Sequence, residues 1–325
     1  MTPVADADVA VRPWPPYRCP THDLELDETF DLLICPSGHA FRVVGHIPRF
    51  VEGEAYAAAF GAQWNRFKRT QLDSYTRTTI SRDRAQRCLG ERLWNSLDGM
   101  HVLEAGCGAG RFTEVLLERG ALVTSIDMSS AVDANAANFP QGQRHRIAQA
   151  DVMALPFGPA EYDVVFCVGV VQHTPSSKAT LNALFRQVRP GGYLVFDHYT
   201  YSKALLSLTY LFRLYFRRLS PEAGLRQIER LVDLLLPLHR RAGKLNPILT
   251  RLSPVHSYYR THPELSESMQ REWAVLDTHD ALTDWYKRLQ TRGQILHTLR
   301  DLGADEIWCE YGGNGVEARA RKKVD

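Results

Sequence analysis

Four cysteine and histidine residues near the N-terminus have the spacing of a metal site. Cys19 and His22 are separated by two residues and Cys35 and His39 by three, with twelve residues between the pairs. Together they supply four sulfur and nitrogen ligands, the number that a tetrahedral zinc ion requires. A unit of about 30 residues has little core of its own, so a metal ion would stabilise it. The sequence therefore predicts zinc; the alternative is a metal-free unit with buried cysteines and exposed histidines.

Two further histidines are predicted to serve acid–base chemistry. His173 and His198 each follow an apolar run that is typical of a buried strand. Because the pKa of histidine lies near neutral pH, its side chain can take up or release a proton under physiological conditions. For each residue, the alternative is a histidine that only hydrogen-bonds nearby backbone. Cys167 lies within a strand and is interpreted as a packed side chain.

The run Gly106–Gly110 predicts a loop that a ligand can approach closely. Its glycines follow the pattern G-x-G-x-G, and without Cβ atoms they let the backbone pass near a bound molecule. Asp127 lies 21 residues after Gly106 at the end of the next apolar run, where a carboxylate can accept hydrogen bonds from a ribose diol. The dinucleotide pattern G-x-G-x-x-G is not met, which disfavours a nicotinamide-dependent oxidoreductase.

Alternating strand and helix patterns surround these residues. The strand patterns lie at 102–104, 122–126, 144–149, 162–168 and 193–197. The helical patterns between them lie at 112–119, 131–138 and 179–188. This alternation predicts an α/β fold with a Rossmann-like doubly wound sheet, which places the candidate residues at the carboxyl edge of parallel strands. A helix at 290–302 and strands at 306–309 and 315–320 would complete the sheet.

The segment 103–112 resembles the first motif of the class I S-adenosylmethionine (SAM)-dependent methyltransferases, with a core of the type 11 group. The similarity covers about residues 100–200, because 163–167 resembles the family's fourth-strand motif and 189–192 its turn before strand five. The resemblance implies SAM as cofactor, with Asp127 on the ribose and Asp151 on the adenine amine. The SAM-binding residues that it implies are Glu104, Gly106, Cys107, Gly108, Gly110, Asp127, Met128, Asp151, Val152, Val168 and Gln172.

The N-terminal unit resembles the zinc ribbon of the large-subunit rRNA guanine-N1 methyltransferases, although His22 stands where that family has a cysteine. The similarity to those enzymes does not extend through the chain. Segment 60–74 is instead similar to one that precedes the fold in uncharacterised bacterial methyltransferases.

Four residues are predicted to contact the methyl acceptor. Tyr75 and Arg82 belong to a helical segment that often closes over SAM in the family that the chain resembles, where they would meet either the acceptor or the methionine carboxylate of SAM. Tyr199 follows the fifth strand, and His279 lies where an inserted region returns to the sheet. Ordinary surface placement is the alternative for these positions.

Five regions are predicted along the chain. They are a flexible tail (1–17), a zinc-ribbon-like unit (18–52), a helical N-terminal lid (53–96), a SAM-binding domain (97–202 and 281–325) and a helical insertion after strand five that covers the acceptor (203–280). Residues 203–250 are predicted to form helices broken at Pro221, Pro237 and Pro247, and 251–285 mixed structure. The aromatic residues that either line an acceptor pocket or pack the insertion onto the sheet are Tyr201, Tyr210, Phe212, Tyr215 and Phe216.

The composition narrows the class of protein. A net charge of +2 excludes a basic field over the whole surface, so nucleic acid is a less favoured partner than a small-molecule acceptor. No apolar run is long enough for a transmembrane segment, and residues 1–20 lack a signal pattern, so a cytoplasmic protein is expected. The six cysteines are scattered, which predicts reduced thiols.

The favoured function is SAM-dependent methyl transfer to an oxygen, nitrogen or carbon atom of a small molecule. One alternative is an RNA base methyltransferase that uses the N-terminal ribbon for RNA docking. Another is a non-catalytic partner protein with a SAM-binding fold, which the intact Gly106–Gly110 loop and Asp127 disfavour. The sequence indicates no particular acceptor or oligomeric state.

Overall fold

The computed structural model describes residues 12–53, 55–201, 209–242 and 253–324. Its strands are β1 (Asp27–Glu28), β2 (Leu32–Ile34), β3 (Ala40–Val44), β4 (Ile47–Arg49), β5 (His101–Ala105), β6 (Leu122–Asp127), β7 (His145–Gln149), β8 (Tyr162–Cys167), β9 (Val188–Tyr199), β10 (Ala304–Gly312) and β11 (Gly315–Lys322). Its α-helices are α1 (Ala58–Arg66), α2 (Asp73–Thr76), α3 (Ile80–Trp94), α4 (Arg111–Glu118), α5 (Ala131–Asn138), α6 (Ser177–Gln187), α7 (Thr209–Phe216), α8 (Pro221–Arg241), α9 (Glu267–Thr283) and α10 (Arg292–Asp301). None of these helices combines the length and apolar character needed to cross a membrane.

The described strands form one sheet in the order β1-β2-β3-β4-β7-β6-β5-β8-β9-β11-β10. Strands β5 to β9 run parallel, and every residue of β5 and β8 is buried, as expected where helices cover both faces. The strand order reverses at β5, between β6 and β8, and such a reversal opens a crevice beyond the carboxyl ends of the strands. With β10 and β11 antiparallel at one side, the predicted Rossmann-like sheet is confirmed.

Helices cover the sheet on both faces because alternate strand residues point in opposite directions. Leu103 and Val165 belong to the apolar cluster formed with α6 and α10. Their neighbours Val102 and Val164 belong to the cluster formed with α3 and α4. The two clusters hold β5 and β8 rigidly, and with them the loops that leave their carboxyl ends.

The predicted zinc-ribbon-like unit continues this sheet. β2, β3 and β4 pair antiparallel, and β4 then pairs with β7 at Arg49 and Gln149. The Phe50 amide donates a hydrogen bond to the Gln149 carbonyl over 2.8 Å. The Tyr17 ring contacts both Phe50 and Phe157, at centroid distances of 5.4 and 5.7 Å. The unit is therefore attached to the sheet through backbone and aromatic contacts.

The prediction of a flexible tail is wrong for residues 12–17. Arg12 pairs with Asp163 over 2.9 Å, and the Trp14 ring packs edge-on to His101 at 5.4 Å. Arg146 donates a hydrogen bond to the Pro15 carbonyl over 2.7 Å. These aromatic and charged anchors offset the entropy cost of ordering a proline-rich segment. Residues 1–11 lie outside the described part of the chain.

The helical insertion differs from its prediction in two ways. Pro237 lies inside α8 and does not break it, because the apolar side chains Ile228 and Val232 hold this helix against α9. The second difference is α9 itself, a continuous 17-residue helix where mixed structure was expected, begun by a Ser266 side-chain cap. It crosses the predicted boundary between residues 280 and 281. The predicted break at Pro247 lies outside the described residues.

The aromatic residues of the insertion separate into two groups. Phe216 is buried in the cluster formed with α8 and α9, so it packs the insertion. Tyr201, Phe212 and Tyr215 are exposed. The side chain of Tyr210 lies outside the described part.

Candidate functional site

The glycine loop leaves β5 at the switch point of the sheet and leads into α4. Gly106 and Gly108 have φ angles of 81° and 51°, a region that residues with a Cβ rarely adopt. A Cβ on Gly106 would also lie 2.2 Å from a methyl carbon of Val170. The loop therefore requires glycine for its conformation and for its packing.

Helix α1 covers this loop. A Cβ on Gly108 would lie 3.0 Å from the indole ring of Trp64, so the ring rests directly on the loop backbone. The next residue, Asn65, donates a hydrogen bond to the Ser130 carbonyl over 3.0 Å. The predicted lid segment thus contacts both loops at the carboxyl edge of β5 and β6.

Asp127 ends β6 beside the same loop. Its Oδ2 accepts a 3.0 Å hydrogen bond from the Gly108 amide, and its Oδ1 accepts hydrogen bonds from the Ser129 amide and hydroxyl over 2.9 and 2.7 Å. These donors fix the orientation of the carboxylate, which is only partly buried. The predicted ribose-binding acid and the glycine loop are brought together.

Glu104 and Cys107 face the protein interior. Glu104 is 2% exposed and accepts hydrogen bonds from Thr113 and Ser125 over 2.5 and 2.9 Å. Burial raises its pKa to about 7, against the lowering effect of those hydroxyl groups. Burial also raises the pKa of Cys107 well above its usual value. Both side chains therefore pack on the interior side of the glycine loop.

The remaining predicted cofactor residues line the neighbouring turns. Asp151 accepts a 2.8 Å hydrogen bond from the Met153 amide, and the Met128 carbonyl accepts one of 2.9 Å from Gln149. Val152 and Val168 are buried. Gln172 is fully buried, and neither its amide nitrogen nor its amide oxygen has a hydrogen-bond partner among the described residues.

Tyr56 was missed by the sequence analysis. Burial raises the pKa of its hydroxyl, and the negative charges of Asp151 and Asp127 raise it further, so it lies near both carboxylates. Its ring packs edge-on to Tyr286 at 5.1 Å. Tyr56 therefore separates the predicted nucleoside side of the crevice from the segment that follows α9.

His173 lies in a buried polar group on the other side of that pair. Its Nδ1 is 3.3 Å from the Tyr286 carbonyl and 3.2 Å from a carboxylate oxygen of Asp284, and its Nε2 is 3.8 Å from Asp280. An Nδ1 proton donated to a carbonyl leaves Nε2 as the basic nitrogen. Phe60 and Tyr199 pack edge-on to the imidazole, each at 5.3 Å.

Arg213 pairs with one of the two carboxylates beside His173. Asp284 is fully buried and pairs with Arg213 of α7, which also donates to the Ala281 carbonyl over 2.9 Å. Burial lowers the pKa of His173, and Asp280 raises it in part. His173, Asp280 and Asp284 have the spacing of metal ligands, but Arg213 already neutralises one carboxylate and competes with a cation there.

His198 is not placed for catalysis. It is fully buried, its Nε2 is 2.8 Å from the Ser177 hydroxyl, and its Nδ1 is 2.9 Å from the Tyr199 carbonyl. Because neighbouring residues of β9 point to opposite faces, His198 faces α6 while Tyr199 faces the crevice. With both nitrogens engaged inside the protein, the predicted catalytic role does not fit this placement.

Three of the four predicted acceptor contacts lie elsewhere. His279 is fully buried, 2.7 Å from the Gln63 amide oxygen, and so joins α9 to α1. Tyr75 is exposed under the Arg69 guanidinium, and Arg82 pairs with Glu118 at the surface. Tyr199 is the predicted contact that lies beside His173.

Three of the four predicted zinc ligands, Cys19, His22 and His39, have ligand atoms that all lie close to one another, and Cys35 contacts this group through His22. The Cys19 sulfur lies 3.5 Å from His22 Nδ1 and 3.7 Å from His39 Nδ1, and the Cys35 sulfur lies 3.4 Å from His22 Nδ1. Both cysteines are 1% exposed; the histidines are exposed overall, but their Nδ1 atoms face the sulfurs. The buried cysteines and exposed histidines that the metal-free alternative predicts are therefore present, and so are short distances between sulfur and nitrogen atoms that a metal site requires.

Residues 103–196 match the sequence model of a methyltransferase domain. Ubiquinone biosynthesis O-methyltransferase from Pseudomonas fluorescens is 37% identical over 105 residues, which are 31% of this chain and 45% of the relative. The enzyme of the same name from Coxiella burnetii is 32% identical over 104 residues, 31% of this chain and 44% of the relative. The chain thus matches less than half the length of these relatives.

Two solved structures are distantly similar. A putative SAM-dependent methyltransferase from Methanococcus maripaludis has 13% identity and a TM-score of 0.45, with 82% of this chain and 94% of that chain covered. An O-methyltransferase family protein from Burkholderia thailandensis has 13% identity and a TM-score of 0.45, with 78% and 59% covered. The match to the methyltransferase domain model contains the Gly106–Gly110 loop, Asp127 and His173, so the candidate site lies within that domain.

Proposed function

We propose that this protein transfers a methyl group from SAM to a hydroxyl group of a small-molecule acceptor. The observation that carries the proposal is the meeting of the Gly106–Gly110 loop, Asp127 and His173 at one edge of a doubly wound sheet. That edge belongs to the segment that matches a methyltransferase domain. The O-methyltransferase names of the relatives favour an oxygen acceptor.

The residues at this edge suit SAM. The loop amide of Gly108 orients the Asp127 carboxylate, and the buried amide of Gln172 has hydrogen-bonding atoms unused by the described residues. Asp127 would accept hydrogen bonds from the ribose diol, and Asp151 from the adenine amine. Met128, Val152 and Val168 would supply apolar contacts. Bound SAM supplies a methyl group that its sulfonium already activates, so positioning and exclusion of water are the protein's main tasks.

His173 is the group we propose to take the acceptor proton. Burial lowers its pKa, so the neutral imidazole predominates near pH 7. Nδ1 donates to the Tyr286 carbonyl and Nε2 accepts the proton from the acceptor hydroxyl. Asp284, 3.2 Å from Nδ1, stabilises the imidazolium that forms, and the packed rings of Phe60 and Tyr199 limit water.

Calorimetric titration with SAM and S-adenosylhomocysteine tests the proposed cofactor site. A charged hydrogen bond contributes about 1.5–3 kcal/mol, so Asp127→Asn should raise Kd by roughly 10- to 100-fold. Asp301→Asn, at the exposed end of α10, is the matched control and should bind as the parent does. Absence of binding to folded parent protein would contradict the proposal.

We also propose a structural zinc ion held by Cys19, His22, Cys35 and His39. Zinc–sulfur and zinc–nitrogen bonds of about 2.3 and 2.0 Å place tetrahedral sulfur and nitrogen ligands about 3.5 Å apart. Three of the four sulfur–nitrogen distances, from 3.4 to 3.7 Å, agree with this spacing. Because the unit shares backbone hydrogen bonds with β7, its role would be to support that edge of the sheet, and no observation favours RNA docking over this role.

A further inference from the structure

Lys287 belongs to the segment 286–290, which follows α9 and lies beside the loop that carries His173. The Arg288 amide donates a 2.8 Å hydrogen bond to the Gln172 carbonyl, and the Gln290 amide donates one of 3.0 Å to the Tyr199 carbonyl. Residues 286–290 are thereby bonded to the loop after β8 and to the last residue of β9. Lys287 consequently lies at the same carboxyl edge as the proposed base.

The ammonium group of Lys287 lies near an aromatic ring. Its Nζ lies 5.5 Å from the centre of the Tyr199 ring, which itself contacts His173. Among the described residues, no carboxylate oxygen lies within 4.0 Å of this nitrogen. The nearby charge of Arg213 is already matched by Asp284. Within the described part of the chain, Lys287 is therefore a positive charge without a direct ion pair, although Asp280 is near enough to raise its pKa.

The protein around Lys287 changes the titration of its side chain. The Lys287 side chain is exposed to solvent, yet the surrounding protein lowers its pKa to about 8, mainly by removing hydration. His256 shows the same combination, an exposed side chain whose pKa burial lowers to about 4. The Lys287 charge is one cause of the lowered His256 pKa, so these two side chains lie near each other.

Aromatic side chains lie near Lys287 and His173. Phe60, Tyr199 and Tyr286 are each only partly buried, so each leaves ring surface open. Phe60 and Tyr199 contact the His173 ring, and Tyr286 contacts Tyr56 at the nucleoside side. Such surfaces favour a flat aromatic ligand held edge-on or offset.

We infer that Lys287 binds an anionic group of the methyl acceptor, so that the acceptor is an aromatic acid whose hydroxyl faces His173. This inference rests on the proposed function for the identity of the reaction. The ammonium group pairs with the carboxylate of the acceptor, and the aromatic side chains near Lys287 and His173 contact the acceptor ring. An acid is then distinguished from its neutral amide by one charge-assisted contact in a partly desolvated site.

Matched ligand pairs test this inference. Para-hydroxybenzoate and caffeate, each beside its neutral carboxamide, are titrated calorimetrically into protein saturated with S-adenosylhomocysteine and into protein without it. We expect the acids to bind at least about tenfold more tightly than the amides. Lys287→Gln should abolish the difference and Lys287→Arg should retain part of it. Lys323→Gln removes an exposed lysine near the C-terminus and is the control.

The pH dependence gives a second readout. Acid binding should weaken as pH rises through 8 to 9, because the ammonium loses its proton, while amide binding should change little. The charged groups that influence Lys287 are Asp280, which raises its pKa, and Arg213, which lowers it. The Lys287 charge in turn lowers the pKa of His173 and of His256, and the Tyr199 ring lies 5.5 Å from its Nζ.

Equal binding of acid and amide, no binding of any acid, or a preference that survives Lys287→Gln would overturn the inference. If S-adenosylhomocysteine binds normally in that case, the proposed function still stands. Failure of S-adenosylhomocysteine to bind would contradict the proposed function, and the titrations without it would still measure the preference for an acid at Lys287.

Discussion

The Nδ1 atom of His173 lies 3.2 Å from Oδ2 of Asp284, which joins the loop after β8 to the end of α9. Asp284 in turn pairs with Arg213 of α7. The helical insertion is thus connected to the sheet domain at the residue we propose as the base. The position of His173 therefore depends on α7 and α9 as well as on the loop after β8.

The pKa of His173 should move in opposite directions in two variants. The Asp280 carboxylate raises this pKa and the Lys287 ammonium lowers it. Asp280→Asn should therefore lower the pKa and Lys287→Gln should raise it, both starting from a value below 6.5. Histidine-labelled NMR measures the titration, with His173→Gln to assign the signal. Identical titration curves in the two variants would contradict the arrangement around the imidazole.

Activity should follow the same titration once an acceptor is known. The base must be neutral, so kcat/KM should fall as pH drops through the pKa of His173. His173→Gln should lower kcat by about 10²- to 10⁴-fold and remove this acid limb. A loss of activity that left the acid limb in place would assign the proton transfer to another group.

Glu104 should make the protein less stable at alkaline pH. Burial raises its folded pKa from 4.5 to about 7, so the folded state binds more protons than the unfolded state between these values. The contribution of Glu104 to stability is then largest below about 4.5 and falls by on the order of 3 kcal/mol as pH rises from there to about 7. Glu104→Gln keeps the size and should remove this loss, so its Tm should exceed that of the parent at pH 8 and not at pH 5.

The matched control for this comparison is Glu28→Gln, which changes an exposed glutamate of β1. Its Tm should follow the parent at both pH values. If Glu104→Gln also follows the parent, the carboxyl group is ionised in the folded protein and the proton linkage is absent.

Zinc removal should destabilise the N-terminal unit and the sheet edge that it extends. Elemental analysis should find about one zinc ion per chain, and Cys35→Ser should lose the metal and lower Tm. Cobalt substitution should give the absorption bands of a tetrahedral site with sulfur ligands. Cys309→Ser, the same exchange at a buried cysteine of β10, should keep the metal. A metal-free parent chain with unchanged stability under chelation would contradict the zinc proposal.

Local sequence signals predicted the parts of the site that local chain geometry determines. The glycine spacing and the end of an apolar run located Gly106–Gly110 and Asp127, because positive φ angles and strand ends are properties of short segments. The four Cys and His residues were likewise grouped by their spacing within one small unit.

The acceptor side was predicted less well because tertiary packing assembles it. Lys287 and Asp284 reach His173 from more than 100 residues away, and no local pattern marks either one. A usable signal did exist for Asp280 and Asp284, which are four residues apart and so share a helix face. It was missed because α9 was expected to be mixed structure. His198 was misplaced because the two faces of β9 were not distinguished.

The contact between Trp64 and Gly108 leads to the last prediction. Gly108→Ala places a Cβ 3.0 Å from the indole and forces an alanine to adopt a φ of 51°, a conformation that costs about 1 kcal/mol for residues with a Cβ. We expect lower Tm and at least tenfold weaker binding of S-adenosylhomocysteine. Gly142→Ala, where a Cβ meets nothing within 4 Å, should leave both Tm and S-adenosylhomocysteine binding unchanged.

Trp64 itself should report on ligand binding. Since its ring rests on the loop, S-adenosylhomocysteine should change the tryptophan fluorescence of the parent, and Trp64→Phe should remove most of that change. In the double variant that combines Trp64→Phe with Gly108→Ala, the smaller phenyl ring relieves the contact with the new Cβ but not the backbone strain. The two effects on Tm should therefore be less than additive, because the residues touch. Strict additivity, with an unchanged fluorescence response in Trp64→Phe, would show that α1 does not cover the loop in solution.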